Sequence, residues 1–234
     1  MRMSFWQVTM KRSVRLSKTY FILGVVMTVY GIILSNVLTF VPANLATPTP
    51  VDLTNSFPVL SVALLSLSAV LFSLPVVMLF VYDKNSGVLE YLLSTGLDQL
   101  DIFKGYVKAS LSLAAYLLVF STITNSAVGI LLGTNLGLLA SMGVLTFAIG
   151  ISEVFLVTVC MMAFSSLQKT PMGANQPLGV VIGVIPMFPA LILPLIFPSH
   201  AIVIDILIAA VTLIVSLALL LSIGRLILRE KLLP

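Results

Sequence analysis

After the N-terminal segment, the longest part of this chain that water would tolerate is residues 83–108, DKNSGVLEYLLSTGLDQLDIFKGYVK. It holds four of the eight acidic residues and three of the twelve basic ones, and apolar sequence flanks it on both sides. Its pattern predicts a short amphipathic helix, followed by a second helix that leads back into apolar sequence. We call residues 83–108 the elbow.

The first predicted helix of the elbow has start and stop signals. Residues that suit an N-cap precede it, namely Asn85, Ser86 and Gly87. Glu90 lies in the first turn, where a negative charge favours the helix dipole. Gly96 can end the helix in a left-handed conformation, and Thr95 and Asp98 have the spacing of a capping interaction that restarts the chain as a helix. One face is apolar and consists of Val88, Leu89, Leu92 and Leu93. An amphipathic helix with clear start and stop signals is unusual in so apolar a chain, and it indicates a surface on which a partner docks.

The composition is that of an integral membrane protein. Hydrophobic residues make up 59% of the 234 residues and charged residues 9%, against roughly 45–50% and about 25% in soluble domains. The net charge of +4 does not indicate a nucleic-acid partner, because the charges lie beside apolar spans, where they set orientation and contact anionic headgroups. The single cysteine, Cys160, lies within an apolar stretch, which excludes an internal disulfide and a cysteine-based metal cluster.

The apolar stretches predict an all-α fold with six transmembrane helices in one domain, residues 1–234. A span needs about 20 apolar residues, and six stretches meet this requirement: residues 20–41, 58–82, 109–132, 138–164, 178–197 and 201–224. Residues 1–19 interleave basic and apolar side chains, which is typical of an amphipathic interfacial helix. The apolar run after it is too long for a cleaved signal peptide, so we expect this helix to be retained.

The basic residues predict the orientation of the chain. With a cytoplasmic N-terminus, all twelve fall on the inner side: five in residues 1–19, three in the elbow, Lys169 in the fourth loop, and three in the C-terminal tail. The outer loops then hold none, as the positive-inside rule requires. We therefore expect both termini and the elbow to be cytoplasmic, in a multi-pass protein of the cell membrane.

Motifs for enzymatic chemistry are missing from the sequence. It has no Gly-rich sequence that would cradle a nucleotide phosphate and no His-Glu-x-x-His. His200 is the only histidine and is most simply an exposed turn residue. We expect no enzymatic activity, no metal and no cofactor in this chain.

Glu153 is the one acid well inside a predicted span. An intramembrane carboxylate costs at least about 2.5 kcal/mol unless it is paired, so it suggests a function. Glu153 either locks helices together as a protonated or hydrogen-bonded side chain, or faces a cavity and contacts substrate. Thr122 and Asn125 of the third span could line the same path or bond to neighbouring helices. Asp205 is expected to be interfacial.

At the elbow the chain resembles permeases of the type-2 ABC exporter family. The resemblance rests on the acid–base pair Asp83-Lys84, the run Gly87-Val88-Leu89-Glu90-Tyr91-Leu92-Leu93, and the Lys104-Gly105 entry into the third span. In that family the Gly and Lys usually stand in the opposite order. The interfacial N-terminal helix and the six spans extend the likeness over most of the chain.

The resemblance implies a role for each part. The elbow would be the coupling helix that docks on a separate ATP-binding-cassette ATPase through Gly87, Val88, Leu89, Glu90, Leu92 and Leu93. ATP and Mg²⁺ would be bound by that partner, residues 1–19 would be the connecting helix, and a second permease copy or homologue would complete a dimer around the path. The chain would then export a substrate.

Three alternatives remain open. A haem-exporter-type permease has a similar run in its elbow. A secondary transporter would depend on Glu153 for ion coupling. A membrane anchor for a cytosolic complex would bind a partner through the elbow without transporting a substrate.

Overall fold

The computed structural model describes residues 4–37, 53–163, 189, 192–193, 196–197 and 200–226. These residues form helices, and no strand occurs among them. The long described helices, with the short helix of the elbow, are α1 (Phe5–Leu16), α2 (Lys18–Val37), α3 (Leu53–Asn85), α4 (Val88–Ser94), α5 (Gln99–Leu131), α6 (Leu136–Ala163) and α7 (Ala201–Leu226).

Four of the described helices are long and apolar enough to cross a membrane, in the ranges Ser61–Asn85, Gln99–Leu131, Leu136–Met162 and Ala201–Ser222. A fifth span is added if the bent pair α1 and α2 counts as one. The predicted span at residues 178–197 lies almost wholly outside the described residues. The expectation of an all-helical, membrane-embedded protein is therefore confirmed, and the count of six spans stays a prediction.

The chain turns sharply between α1 and α2. The two helices meet at an angle of 87°, and the break falls at Ser17, whose amide donates to the Ser13 carbonyl at 3.2 Å. If α2 crosses the bilayer, α1 therefore runs close to the membrane plane. This is the placement expected for an amphipathic interfacial helix.

The buried core has three clusters of side chains, which we call layers because they follow one another along α3, although the first two interleave on α6. The layer at the elbow end contains Phe80, Tyr106 and Val159, the middle layer contains Val70, Leu118 and Val154, and the far-end layer contains Val62, Met142 and Ala209. Residue numbers along α3 and α6 rise toward the elbow end, whereas those along α5 fall. Thus α3 and α6 run in the same direction, and α5 runs against them.

The elbow contains the two predicted helices, and the second belongs to a long helix. Helix α3 continues to Asn85, and α5 begins at Gln99, so all of residues 99–108 belong to the first turns of one continuous 33-residue helix. A helix of that length spans about 50 Å at 1.5 Å per residue, whereas the hydrocarbon core is about 30 Å thick. The elbow end of α5 can therefore project beyond the hydrocarbon and carry α4 with it.

Candidate functional site

Helix α4 is a single short element between two glycines in the left-handed conformation. Gly87 is the N-cap with φ 76°, and Gly96 follows the C-terminus with φ 87°. The amides of Gly96 and Leu97 bond back to the carbonyls of Leu93 and Leu92, which is the pattern of a Schellman motif. Glu90 lies in the first turn. The predicted start, stop and first-turn acid of this helix are confirmed.

The predicted capping interaction between Thr95 and Asp98 is wrong. The Thr95 hydroxyl donates to the Leu92 carbonyl at 2.7 Å, so it belongs to the end of α4. Asp98 is the N-cap of α5, but its side chain makes no capping hydrogen bond. A threonine next to a helix C-terminus has free backbone carbonyls within reach of its hydroxyl. The Thr95 hydroxyl bonds to one of these carbonyls instead of capping the start of α5, which is further away.

The apolar face of α4 packs against the same chain. Leu89 is 1% exposed and belongs to the elbow-end layer of the core. Three further side chains of the predicted docking set are only partly exposed: Val88, Leu92 and Leu93. The outward side of the elbow is formed instead by Glu90 and Tyr91, with Leu97 just beyond the helix. Tyr91 is 68% exposed and Leu97 39%, so a partner could reach both side chains in this conformation.

An ion pair ties α1 to the base of the elbow. Arg12 donates two hydrogen bonds to the carboxylate of Asp83, from Nη2 to Oδ1 at 2.7 Å and from Nη1 to Oδ2 at 3.1 Å. Tyr106 of α5 donates from its hydroxyl to Oδ2 of the same carboxylate. Asp83 is fully buried, whereas the Arg12 side chain is 41% exposed. We call Arg12, Asp83 and Tyr106 the joint, because they connect α1, α3 and α5.

Aromatic packing reinforces the joint. The Tyr106 ring packs edge-on against Phe5 of α1 and Phe80 of α3, with centroids 5.7 Å and 5.2 Å apart. A Cβ atom on Gly105 would lie 2.3 Å from Cδ1 of Phe5. The absence of a side chain at Gly105 is therefore what lets α1 approach α5 so closely. Lys104 and Lys108, on either side of this contact, are exposed.

Sequence reasoning missed most of the joint. It noted Asp83 beside Lys84, but the structure pairs Asp83 with Arg12, which lies 71 residues earlier in the chain. Nothing local distinguishes Arg12 from the other basic residues of the N-terminal helix. Tyr106 lies three positions after Phe103, on the same face of the predicted second helix, where an aromatic side chain is ordinarily a packing residue.

The residues predicted to line a path do not share one environment. Asn125 is buried in α5, and the side-chain amide of Asn36 in α2 donates to its oxygen at 2.8 Å, so it connects two helices. Thr122 packs against α6, since a Cβ on Gly143 would lie 2.9 Å from its methyl group. The Thr122 hydroxyl is buried without a hydrogen-bond partner among the described residues.

Glu153 is buried in the middle of α6, with 1% of its surface exposed. Neither of its carboxyl oxygens has a hydrogen-bond partner among the described residues. The adjacent Ser152 turns instead to α7, where its hydroxyl donates to Thr212 at 3.0 Å, and Thr158 bonds Ser110 of α5 at 2.7 Å. The polar neighbours that the sequence offers to Glu153 are thus engaged elsewhere.

Asp205 is a second carboxyl of the same kind. It is 0% exposed, and neither oxygen has a hydrogen-bond partner in the described part of the chain. It lies one turn from each of Ala201 and Ala209, which belong to the far-end layer of the core. Asp205 is therefore buried against the protein, and the expectation that it lies at the depth of the membrane interface stays a prediction.

The chain was compared with models of protein families, with curated proteins and with solved structures, and none of these comparisons returned a match.

Proposed function

We propose that the chain is the membrane-spanning permease subunit of an ATP-binding-cassette exporter. The observation that carries this proposal is the elbow: a short capped helix, α4, lies between two long apolar helices, is anchored on the core by Leu89, and presents Glu90 and Tyr91 outward. A permease without its own ATPase needs such a rigid element to receive motion from a partner. Because residues 83–93 resemble the coupling region of type-2 ABC exporters, we infer that this partner is an ATP-binding-cassette ATPase.

In this mechanism the elbow lies on the cytoplasmic side and sits in a groove of the ATPase, which binds ATP and Mg²⁺. Movement of the ATPase displaces α4. Because α4 packs through Leu89 on the core layer that contains Phe80 and Tyr106, the displacement passes to α3 and α5. A second copy or homologue lines the other side of the path.

The docking side chains are assigned by exposure. Tyr91 and Leu97 supply apolar contact area, and Glu90 can pair with a basic residue of the ATPase. Leu89 packs on the core of the chain and so does not contact the ATPase. Gly87 and Leu93 shape and anchor the helix, and Val88 and Leu92 lie at its edge.

The test is co-purification of a cassette ATPase with full-length protein, recognised by Mg²⁺-dependent ATP hydrolysis. Tyr91→Ala combined with Glu90→Arg should abolish co-purification and leave membrane insertion intact. The matched control is Tyr116→Ala, because Tyr116 is similarly exposed, at 65%, but lies on the membrane-spanning part of α5. Unchanged co-purification in the double variant, or no ATPase with the wild type, would contradict the proposal.

A secondary transporter is a second candidate, favoured by the unpartnered burial of Glu153. Such a protein would couple substrate movement to an ion that binds an intramembrane carboxyl. In sealed proteoliposomes without ATPase or ATP, an ion gradient should then drive transport that Glu153→Gln abolishes. Transport that requires ATP and survives Glu153→Gln would reject this candidate.

A further inference from the structure

The structure places four carboxyl groups in three different surroundings. Glu90 is exposed to solvent. Asp83 is fully buried but bonded by Arg12 and Tyr106. Glu153 and Asp205 are as buried as Asp83 and have no hydrogen-bond partner among the described residues. Asp83 thus has a charged and a polar partner, whereas none is found for Glu153 or Asp205 in the part of the chain that the structure describes.

Basic residues are scarce in the stretch of sequence that contains Glu153 and Asp205. Between residues 109 and 224 the sequence contains one lysine, Lys169, and one histidine, His200. The one salt bridge among the described residues joins Arg12 and Asp83. An ionised carboxylate in the bilayer interior would cost at least about 2.5 kcal/mol unless it is paired, and a neutral carboxylic acid avoids this cost.

The helices packed around these carboxyls carry their other ionisable groups elsewhere. Ser66 donates to the Thr146 carbonyl at 3.4 Å, and the two helices run in parallel, so Ser73 lies level with Glu153. The charged end of α3 at Asp83 is ten residues further on, or about 15 Å. The remaining ionisable groups on α3, α5, α6 and α7 whose side chains the structure describes are Tyr82, Lys84, Asp101, Lys104, Tyr106, Lys108, Tyr116 and Cys160.

We propose that Glu153 and Asp205 are proton-binding sites: each holds a proton as a neutral carboxylic acid while α3, α6 and α7 are packed as observed, and releases it when water enters between them. Release is a simple acid dissociation. The O–H bond breaks, the carboxylate keeps the electron pair, and the proton passes to water.

Hydroxyl groups at the α6–α7 contact support reversible opening. Ser152 donates to Thr212 at 3.0 Å, and Ser216 donates to the Ser152 carbonyl at 3.2 Å. Thr212 lies two turns from Asp205 on α7, and Ser152 directly precedes Glu153 on α6. Polar contacts of this kind can be exchanged for water at small net cost. Because the packed state binds protons that the open state releases, acid favours packing and alkali favours opening.

Infrared difference spectroscopy on the full-length protein in lipid nanodiscs tests the proposal, since a neutral carboxyl group has a carbonyl stretch that a carboxylate lacks. At neutral pH the wild type should show two such components. Glu153→Gln and Asp205→Asn should each remove one, and the pair together should remove both. In heavy water both components should shift as the protons exchange, which reports opening of the packed helices.

Glu90→Gln and Asp83→Asn are the controls, and neither should change the neutral-carboxyl components. The proposal is overturned if the wild type lacks these components, if the two membrane variants leave them unchanged, or if they never shift in heavy water. The measurement needs no partner protein and no ATP. Its outcome is therefore separate from the outcome of the ATPase co-purification.

Discussion

At the scale of single residues, one carboxylate organises the elbow end of the molecule. Asp83 accepts hydrogen bonds from Arg12 of α1 and Tyr106 of α5. A buried charge tolerates the loss of one partner poorly, because the remaining charge is left without compensation. The joint therefore acts as a unit, and its members should show large coupling energies.

Arg12→Gln should lower the free energy of unfolding by about 1–3 kcal/mol, less than for a fully buried pair because Arg12 is partly exposed. Adding Asp83→Asn should recover part of this loss, since no unpaired charge then remains. Arg15→Gln is the control: Arg15 is exposed on the same helix and should change stability by less than about 0.5 kcal/mol. Thermal unfolding in detergent measures all four proteins. Equal losses for Arg12→Gln and Arg15→Gln would contradict the role of the joint.

Gly105 is needed for the close contact between α1 and α5. Gly105→Ala should destabilise the protein by about 1–3 kcal/mol, as overpacked sites do, because the new methyl group would meet the Phe5 ring. Phe5→Ala should relieve that clash, so the double variant should be more stable than the sum of the single changes predicts. Additive losses in this double-mutant cycle would mean that the two residues do not meet.

At the scale of elements, α4 is positioned by its ends and by one buried side chain. Seven residues are too few for a stable isolated helix, so Leu89 and the flanking glycines must hold it. Positive φ is strained for residues with a Cβ, by roughly 1–2 kcal/mol, and Asn tolerates it better than Ala.

The protection of α4 from amide hydrogen exchange should therefore be highest in the wild type, lower in Gly96→Asn and lowest in Gly96→Ala. Gly137→Ala is the comparison, since Gly137 lies in the first turn of α6 without positive φ, and it should leave α4 unaffected. If Gly96→Ala and Gly96→Asn protect α4 equally, left-handed backbone at this position does not matter.

At the scale of the whole molecule, the length of α5 separates two surfaces. About 50 Å of helix lies between the elbow and the α5–α6 turn, which exceeds the hydrocarbon thickness of about 30 Å. The two ends of α5 must then lie on opposite sides of the membrane if the helix spans it.

Cysteine accessibility measures this arrangement. In a chain with Cys160→Ser, Ser94→Cys should react with a membrane-impermeant maleimide only from the cytoplasmic side, and Asn135→Cys only from the outer side. Both parent residues are exposed. Labelling of both from one side would refute the spanning assignment of α5, and the reverse pattern would refute the orientation with a cytoplasmic N-terminus.

The amino-acid sequence was sufficient for properties that depend on composition and local periodicity. The membrane location, the all-helical class, the places of α2, α3, α6 and α7, and the start and end of α4 follow from apolar run length and from glycine and cap positions. These features are encoded within a few turns of helix, so the sequence specifies them without the fold.

Contacts between distant parts of the chain were decided only by the tertiary structure. The sequence does not distinguish Arg12 from the other basic residues of the N-terminal helix, and only the packing of α1 against α3 pairs it with Asp83. The sequence likewise predicts Leu89 to be a docking residue, whereas in the structure side chains of α3 and α5 cover it. Asp205 is buried because its face of α7 packs against the other helices, which its own sequence neighbourhood does not show. Whether a side chain is buried or paired depends on residues of other helices. Helical periodicity shows which face of a helix is apolar, but not which other helix packs against that face.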